Sequence, residues 1–318
     1  MSGTVTTVTM NPCVDRTVEL AALIPGGTNP VLSSREDVSG KGINVSVALA
    51  QLGYDTLCLS FSHRGGALGR SLAGRGVPHR LAPAAGALRV NLKLFDRGAR
   101  AMTECNEKGS PLSEGEYRAM ADLVEEVLPA SRLLVLSGSL PPGAPVDCYR
   151  SMAEAARAAG CPVLLDASGP ALREGVLAAP LLIKPNREEL EAAFGLPAAS
   201  LPQAAASCRG LIRAQGVGMV CLSMGAEGAL LVTREGAWFS PGAPIQVRGV
   251  QGAGDSMVAG FCAGLMEEKE LPPAELLRWA VAAAHASLER EGTQMCDRAG
   301  FARMLPRIPV KKMDEKEN

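Results

Sequence analysis

Aromatic side chains make up only 3% of this 318-residue sequence, so alanine and leucine must fill most of any core. Histidine occurs three times, and His63, His79 and His285 suggest no catalytic triad; they read as surface or hydrogen-bonded residues. A surplus of charge of either sign is also missing. The 32 basic residues against 33 acidic ones leave a net charge of -1, which excludes a global field that would gather nucleic acid or an anionic membrane. An anionic ligand must therefore be held by a local cluster. None of the nine cysteines forms a CxxC pair or stands at zinc spacing from a histidine, so they read as buried free thiols of a reducing compartment. The opening MSGTVTTVTMNP has neither a basic n-region nor a continuous apolar stretch, and no later run approaches the ~20 apolar residues of a membrane span. The expectation is a cytoplasmic protein with no membrane or nucleic-acid partner. Internal repeats and low-complexity linkers are absent as well.

What is present is a regular alternation. Val5 to Thr9 is β-branched and runs into Asn11-Pro12, a strand leading to a loop. Apolar residues at helical spacing follow from Asn44 and stop at Gly53, a good helix end, before a strand at Thr56 to Phe61. Ser113 and Glu116 form a capping-box pattern for a helix reaching Leu128. Strands are then expected at Leu133–Leu136, Val163–Asp166, Leu181–Ile183 and Val217–Ser223, with helices at Val146–Ala159, Glu188–Phe194 and Gln203–Gln215. A hairpin at Gly228–Thr233 and Trp238–Ser240 precedes long apolar helices at Gly254–Met266 and Pro273–Arg290. Such alternation predicts an α/β fold with a mostly parallel sheet flanked by helices. Arg16 to Val38 and Leu88 to Cys105 fit that core less well and are assigned to a small β-sheet lid, formed by about 12–39 and 87–106 of one unit spanning 1–318. The charged tail KKMDEKEN is expected to fray.

The strongest chemical signal is VRGVQGAGDSMVAG. Gly252, Ala253 and Gly254 precede Asp255 at the mouth of an apolar helix, where unpaired amides and the helix dipole can hold phosphate oxygens. An Asp among them can accept a hydroxyl proton. The same letters also describe a tight loop with an acidic helix cap. A P-loop is excluded because Gly40-Lys41-Gly42 lacks the earlier Gly and the Ser/Thr, and GAGDSM lacks the third small residue of a dinucleotide fingerprint. Asn186 and Glu189 follow a strand end; their spacing alone favours a helix cap, while the alternative is that Glu189 orders water on Mg²⁺. Arg89, Asn91 and Lys93 share a strand face at period two and can grip a phosphate together with Lys41, or can be the solvated face of an edge strand. Asp15 can bind sugar hydroxyls or make a turn.

Read together, TMNPCVDRT, SGKGINV, LRVNLKL, TECN, LSGSLPPG, IKPNREEL, LSMGAEGA and QGAGDSMVAG resemble, in order and spacing, the phosphofructokinase-B branch of the ribokinase superfamily. The resemblance spans nearly the whole chain. It implies a ribokinase-like α/β core with a β lid that serves as a homodimer clasp, and ATP and Mg²⁺ as cofactors. Asp255 then becomes the general base and Gly252, Ala253 and Gly254 the anion hole. Asn11, Asp15, Gly40, Lys41, Gly42 and Asn44 face the sugar, and Arg89, Asn91, Lys93 and Ser139 its existing phosphate. Lys184, Asn186 and Glu189 face the ATP phosphates and the metal, and Ser223, Gly225 and Gly228 the nucleotide. The implied reaction is phosphorylation of fructose 1-phosphate, with tagatose 6-phosphate or fructose 6-phosphate as alternatives, and a non-catalytic sugar-phosphate binding protein as the alternative of another class. The sequence departs from the usual pattern at Ser39, where Gly commonly precedes GKG, and at Val250-Gln251, where Thr-Val is common.

Overall fold

The β-branched run at the start forms β1 (Thr4–Val8), the centre of the larger of two sheets in the computed structural model, which describes residues 3–313. β2 (Cys13–Leu20) and β3 (Val31–Ser39) lead into helix α1 (Lys41–Leu52), closed by Gly53 at φ 91°. Next come β4 (Thr56–Ser62), α2 (Ala67–Gly74), β5 (His79–Pro83), β6 (Arg89–Asp96) and β7 (Ala101–Asn106). Strands and helices then alternate through α3 (Glu114–Val127), β8 (Ser131–Ser137), α4 (Cys148–Ala158), β9 (Val163–Asp166), α5 (Gly169–Gly175) and β10 (Leu182–Ile183). Helices α6 (Arg187–Phe194) and α7 (Leu201–Gln215) precede β11 (Met219–Ser223) and the hairpin β12 (Ala229–Thr233) and β13 (Gly236–Ser240). The chain ends with α8 (Ala253–Met266), α9 (Pro273–Leu288), α10 (Arg298–Met304) and β14 (Lys311–Lys312).

The ten-stranded sheet has the order β14-β13-β12-β11-β10-β9-β8-β1-β4-β5. From β11 to β5 every pairing is parallel, and the last three strands beyond β11 are antiparallel. Helices cover both faces, which explains why β8 reads as an unbroken apolar run. Its side chains alternate: Leu133 and Val135 pack with α1, α8 and α9, whereas Leu134 and Leu136 pack with the α3 to α7 side. The segments assigned to a lid form the second sheet, of order β3-β2-β6-β7. It touches the core through the loop after α9, where Thr293 Oγ1 donates to Asp37 Oδ2 at 2.8 Å.

Three expectations need correction. Cys105 is exposed, on an outer strand of the small sheet, while the other eight cysteines are buried. The tail does not fray at its start, because β14 pairs with β13 and sets Lys311 and Lys312 over the rings of Phe239 and Trp238; residues 314–318 lie outside the described residues. Helices α2, α5 and α10 and the strand β5 are absent from the sequence-based expectation; unlike the equally short α6, none of the three helices carries a capping-box pattern.

The scarcity of aromatics shows in how closely helices approach. A Cβ on Gly260 of α8 would lie 2.6 Å from the Trp279 carbonyl oxygen and 2.8 Å from Ala280 Cα, so α8 and α9 meet backbone to backbone. Gly210, mid-helix in α7, has nothing within 4 Å of the same position. Gly260→Ala is therefore expected to destabilise by about 1–3 kcal/mol through overpacking. Gly210→Ala is expected to stabilise by up to about 1 kcal/mol through helix propensity. Urea denaturation of the two variants checks the opposite signs.

Candidate active site

Parallel strands deliver their carboxyl ends to one edge of the sheet, and in open α/β sheets that edge is where ligands bind. Asn11 follows β1, Asp166 ends β9, Lys184 follows β10 and Ser223 ends β11. Helices α1 and α8 point their N-termini at the same edge, and the roots of β2, β3 and β6 stand beside it. The start of α1 can come this close because position 42 is Gly: a Cβ there would lie 2.6 Å from Thr9 Oγ1 and 2.7 Å from the Val8 carbonyl oxygen. Thr9 Oγ1 accepts from the Ile43 amide at 2.9 Å, fastening that approach.

Asp255 lies in the first turn of α8 and is 8% exposed. Its Oδ2 accepts from Asn44 Nδ2 at 2.8 Å. Burial pushes its carboxyl up to about 6; Lys41 and Lys184 and the Asn44 hydrogen bond pull it down, and Asp166 raises it. The preceding turn depends on Gly252, which has φ 75° and would place a Cβ 2.1 Å from the Met295 methyl. Gly252 offers no side-chain cap to α8, so the first amides of that helix stay open to an anion. Lys184 approaches the same turn, its Nζ 3.5 Å from a Cβ on Gly254.

Sequence reasoning missed Asp166. This carboxylate is 1% exposed, and one oxygen, Oδ1, receives both Lys41 Nζ at 3.3 Å and Lys184 Nζ at 3.2 Å. Ser137 Oγ donates to its other oxygen at 3.4 Å. Burial drives Asp166 upward, but Lys184 and Lys41 outweigh it and hold the carboxyl below its usual range. Lys41 is in turn raised above the usual lysine range, by Asp166 first, with Asp255 and Glu189 adding to it against burial. The available signal was an ionisable residue closing the apolar run Val163-Leu-Leu-Asp166 at the ligand edge of the sheet.

A second group sits at the root of the small sheet. Lys93 Nζ lies 3.1 Å from Asp15 Oδ2, with both side chains buried, and Asn91 Nδ2 donates to Asp15 Oδ1 at 3.1 Å. Arg89 donates to the Asn11 carbonyl at 3.2 Å, to Asn91 Oδ1 at 3.3 Å and to the Glu107 carbonyl at 3.0 Å. The three residues thus share a face as their spacing predicts. Asn11 Nδ2 donates to Ser139 Oγ at 3.2 Å, joining the LSGSLPPG loop to the group. Cys13 is no nucleophile here, since burial and then Asp15 push its thiol up to about 12.

The third group lies on the other side of Lys41. Asn186 and Glu189 form the capping box that spacing favoured: the Glu189 amide donates to Asn186 Oδ1 at 2.7 Å, and Glu189 Oε2 accepts from the Asn186 amide at 2.9 Å. Asn186 also bridges to Ser223 across the strand ends. Gly225 starts the short turn after β11, and Gly228, at φ 106°, lies against the Ser240 backbone. Gly40 is the N-cap of α1, its carbonyl accepting from the Asn44 amide at 2.8 Å. Each histidine ring is hydrogen-bonded to backbone, His63 to Gly86, His79 to Val77, and His285 to Val281 and Ala243, and none of them bonds to Asp255.

The arrangement offers a proton acceptor beside open amides and two ammonium groups, with a separate guanidinium farther along the cleft. That combination suits transfer of a phosphoryl group to an alcohol. Comparison with known proteins agrees. The model of the pfkB family carbohydrate kinases matches residues 8–299. A 1-phosphofructokinase of Xanthomonas campestris is 38% identical over 84% of this chain and 86% of its own length. A 1-phosphofructokinase of Bacillus subtilis is 32% identical over 96% and 99%. Among solved structures, the phosphofructokinase-2 of Escherichia coli in complex with fructose-6-phosphate superposes with a TM-score of 0.88 at 26% identity, covering 96% of this chain and 98% of that one.

The raised Asp255 carboxyl has a consequence for stability. Folding strengthens proton binding at this group, so its contribution is fully present below the ordinary value of 3.8 and is lost as pH rises through about 6. Asp255→Asn removes that loss. The variant is expected to be more stable than the parent at pH 8, by up to about 3 kcal/mol, with the difference shrinking toward pH 4. Denaturant melts at pH 4, 6 and 8 measure it.

Proposed function

The chain belongs to the pfkB family of carbohydrate kinases, and on that premise we propose that this sugar-phosphate kinase transfers the γ-phosphoryl group of MgATP to the free primary hydroxyl of fructose 1-phosphate. The observation that carries the reading is Asp255, buried at the mouth of α8 and held by Asn44 at 2.8 Å. A carboxyl with a midpoint of about 6 is mostly ionised at neutral pH yet basic enough to accept a proton. As the sugar oxygen attacks the γ-phosphorus, its proton passes to Asp255 Oδ1, the bond to the β,γ-bridging oxygen breaks and ADP leaves. The amides around Gly252, Ala253 and Gly254, with Lys184, meet the negative charge on the moving group.

Arg89 is the better candidate for the sugar's existing phosphate. Its partners are three oxygens of amide type, so its charge is not neutralised, whereas Lys93 is already paired with Asp15. The Asp15, Asn91 and Lys93 cluster, with Asn11, Gly40, Gly42, Asn44 and Ser139, is then left to read sugar hydroxyls. Asn11, Pro12, His63 and Ser110 are among the residues that line the small cleft beside Arg89.

Ser223, Gly225 and Gly228 form the nucleotide shelf in this reading, and Lys184, Asn186 and Glu189 stand toward the ATP phosphates. The donor set fits Mg²⁺, which keeps several waters and needs only one or two carboxylates beside phosphates. Among the described residues no three His, Cys, Asp or Glu gather as a metal site, and Glu189 keeps Oε1 clear of its capping bond. When bound, the ion offsets phosphate charge. The small sheet acts as a lid that excludes water, and its exposed Val31, Leu32 and Met102, 57%, 51% and 37% accessible, supply a homodimer surface. No described helix is long and apolar enough to cross a membrane, in keeping with a cytoplasmic enzyme.

Asp255→Asn should bind sugar phosphate near normally while kcat falls by at least ~10²-fold; a turnover equal to the parent's removes the base from the mechanism. The E. coli phosphofructokinase-2 complex favours a second reading with a 6-phosphate as acceptor. Specificity constants for fructose 1-phosphate, tagatose 6-phosphate and fructose 6-phosphate, measured side by side with MgATP, decide between the two. In the same assays Arg89→Ala should raise the KM of the preferred sugar phosphate at least ~10-fold with little change for ATP.

A further inference from the structure

We propose that the Ser39 hydroxyl is a positioning group for the Asp255 carboxylate, acting through the side-chain amide of Asn44. The proposal rests on the reading of Asp255 as the base. Ser39 is the last residue of β3, paired with Cys13 of β2 and only 4% exposed. Its Oγ lies 3.3 Å from Asn44 Oδ1, and the opposite end of that amide, Nδ2, donates to Asp255 Oδ2 at 2.8 Å. The three side chains form one line from the small sheet, through the first turn of α1, to the mouth of α8.

A primary amide carries its acceptor and its donors in one plane, on opposite sides of the carbonyl carbon. The carboxylate only accepts, so it fixes which end of Asn44 must face it. Rotation of the amide by half a turn would set Oδ1 against a negative charge. With Asp255 fixing one end, the hydroxyl of Ser39 is left to donate to the other, and the amide is held at both ends. Glycine at position 39, the residue the sequence departs from, has no such hydroxyl. Asn44 would then be held at one end only, and the direction of its N–H toward Asp255 would loosen. Three charged groups surround the carboxylate: Lys41 on α1, Asp166 at the end of β9 and Lys184 after β10. None of them bonds to Ser39, so removal of its hydroxyl leaves those groups in place.

The hydrogen bond from Asn44 lowers the Asp255 midpoint, so weakening it raises that midpoint. The test is the pH profile of kcat from pH 5 to 9 for the full chain with MgATP and its preferred sugar phosphate, comparing the parent with Ser39→Ala and Ser39→Gly. Expected are a fall of roughly 5-fold in kcat at pH 7, the scale of one hydrogen bond, and an acid limb moved upward by about 0.5 pH unit. The KM for ATP should not move. In an Asp255→Asn background, Ser39→Ala should cause no further fall in residual turnover, because a positioning group acts only through what it positions. An unshifted acid limb, or a full additional loss in the Asp255→Asn background, overturns the proposal while the base assignment stands. Full turnover by Asp255→Asn itself overturns both. Ser39→Gly, which also lacks the hydroxyl, covers the case in which Ser39→Ala does not fold.

Discussion

One buried carboxylate holds the working edge of this protein together. Asp166 has almost no contact with solvent, and an unpaired charge there would cost several kcal/mol. Two ammonium groups meet it on one oxygen, Lys41 from α1 and Lys184 from the end of β10. Residues 41, 166 and 184 are remote in sequence, so this cluster forms only when β1, β8, β9 and β10 are in register and α1 sits on top of them. Two positive charges against one negative leave an excess, and Asp255 beside them supplies the second negative charge. The midpoint of Asp255 reflects that balance: burial drives it up, and Lys41, the Asn44 hydrogen bond and Lys184 pull it back, leaving it at about 6. In the proposed reaction the polyphosphate meets lysines already anchored rather than lysines it must order.

The rest of the fold makes such close placement possible. With few aromatics, the helices that carry the site approach the sheet and each other through glycine and alanine. Gly42 seats α1 on the end of β1, and Gly260 lets α9 support α8 from behind. Both helices that aim at the cleft are therefore fixed along their length, and their N-terminal amides have little freedom to move away from a ligand. The small sheet is tied to the core both by packing, through Val38, and by hydrogen bonds such as that from Thr293 to Asp37.

Much of this was legible in the sequence because it is local. The capping boxes at Ser113–Glu116 and Asn186–Glu189 both form as spacing predicted. So do the alternation of Arg89, Asn91 and Lys93 and the parallel core with a separate small sheet. Asp166 was not legible as a site residue, since Val163-Leu-Leu-Asp166 looks like any strand end and its partners stand at positions 41 and 184. The sequence offers Lys93 as part of a phosphate grip or of a solvated strand face, because nothing local reveals that Asp15, across the β2–β6 pairing, takes its charge. The short helices α2, α5 and α10 exist through tertiary packing, which periodicity over seven or eight residues cannot register.

The Asp15–Lys93 pair changes how the acceptor side should be understood. Arg89, Asn91 and Lys93 read as three equivalent hooks for a phosphate, yet only Arg89 has partners that leave its charge intact. A buried ion pair is poor at attracting an anion but good at presenting fixed donors and acceptors, because each member is held by the other and by Asn91. Such a pair suits uncharged hydroxyls, where direction matters more than net charge. The proposed sugar phosphate is then met by two kinds of chemistry on one strand. The guanidinium near the mouth of the cleft takes the charge, and a neutral, hydrogen-bonded cluster deeper in the sheet root takes the ring. The register of β6 against β2 sets Asp15 opposite Asn91, and so in the proposed reading fixes where the hydroxyl-reading cluster stands relative to Arg89.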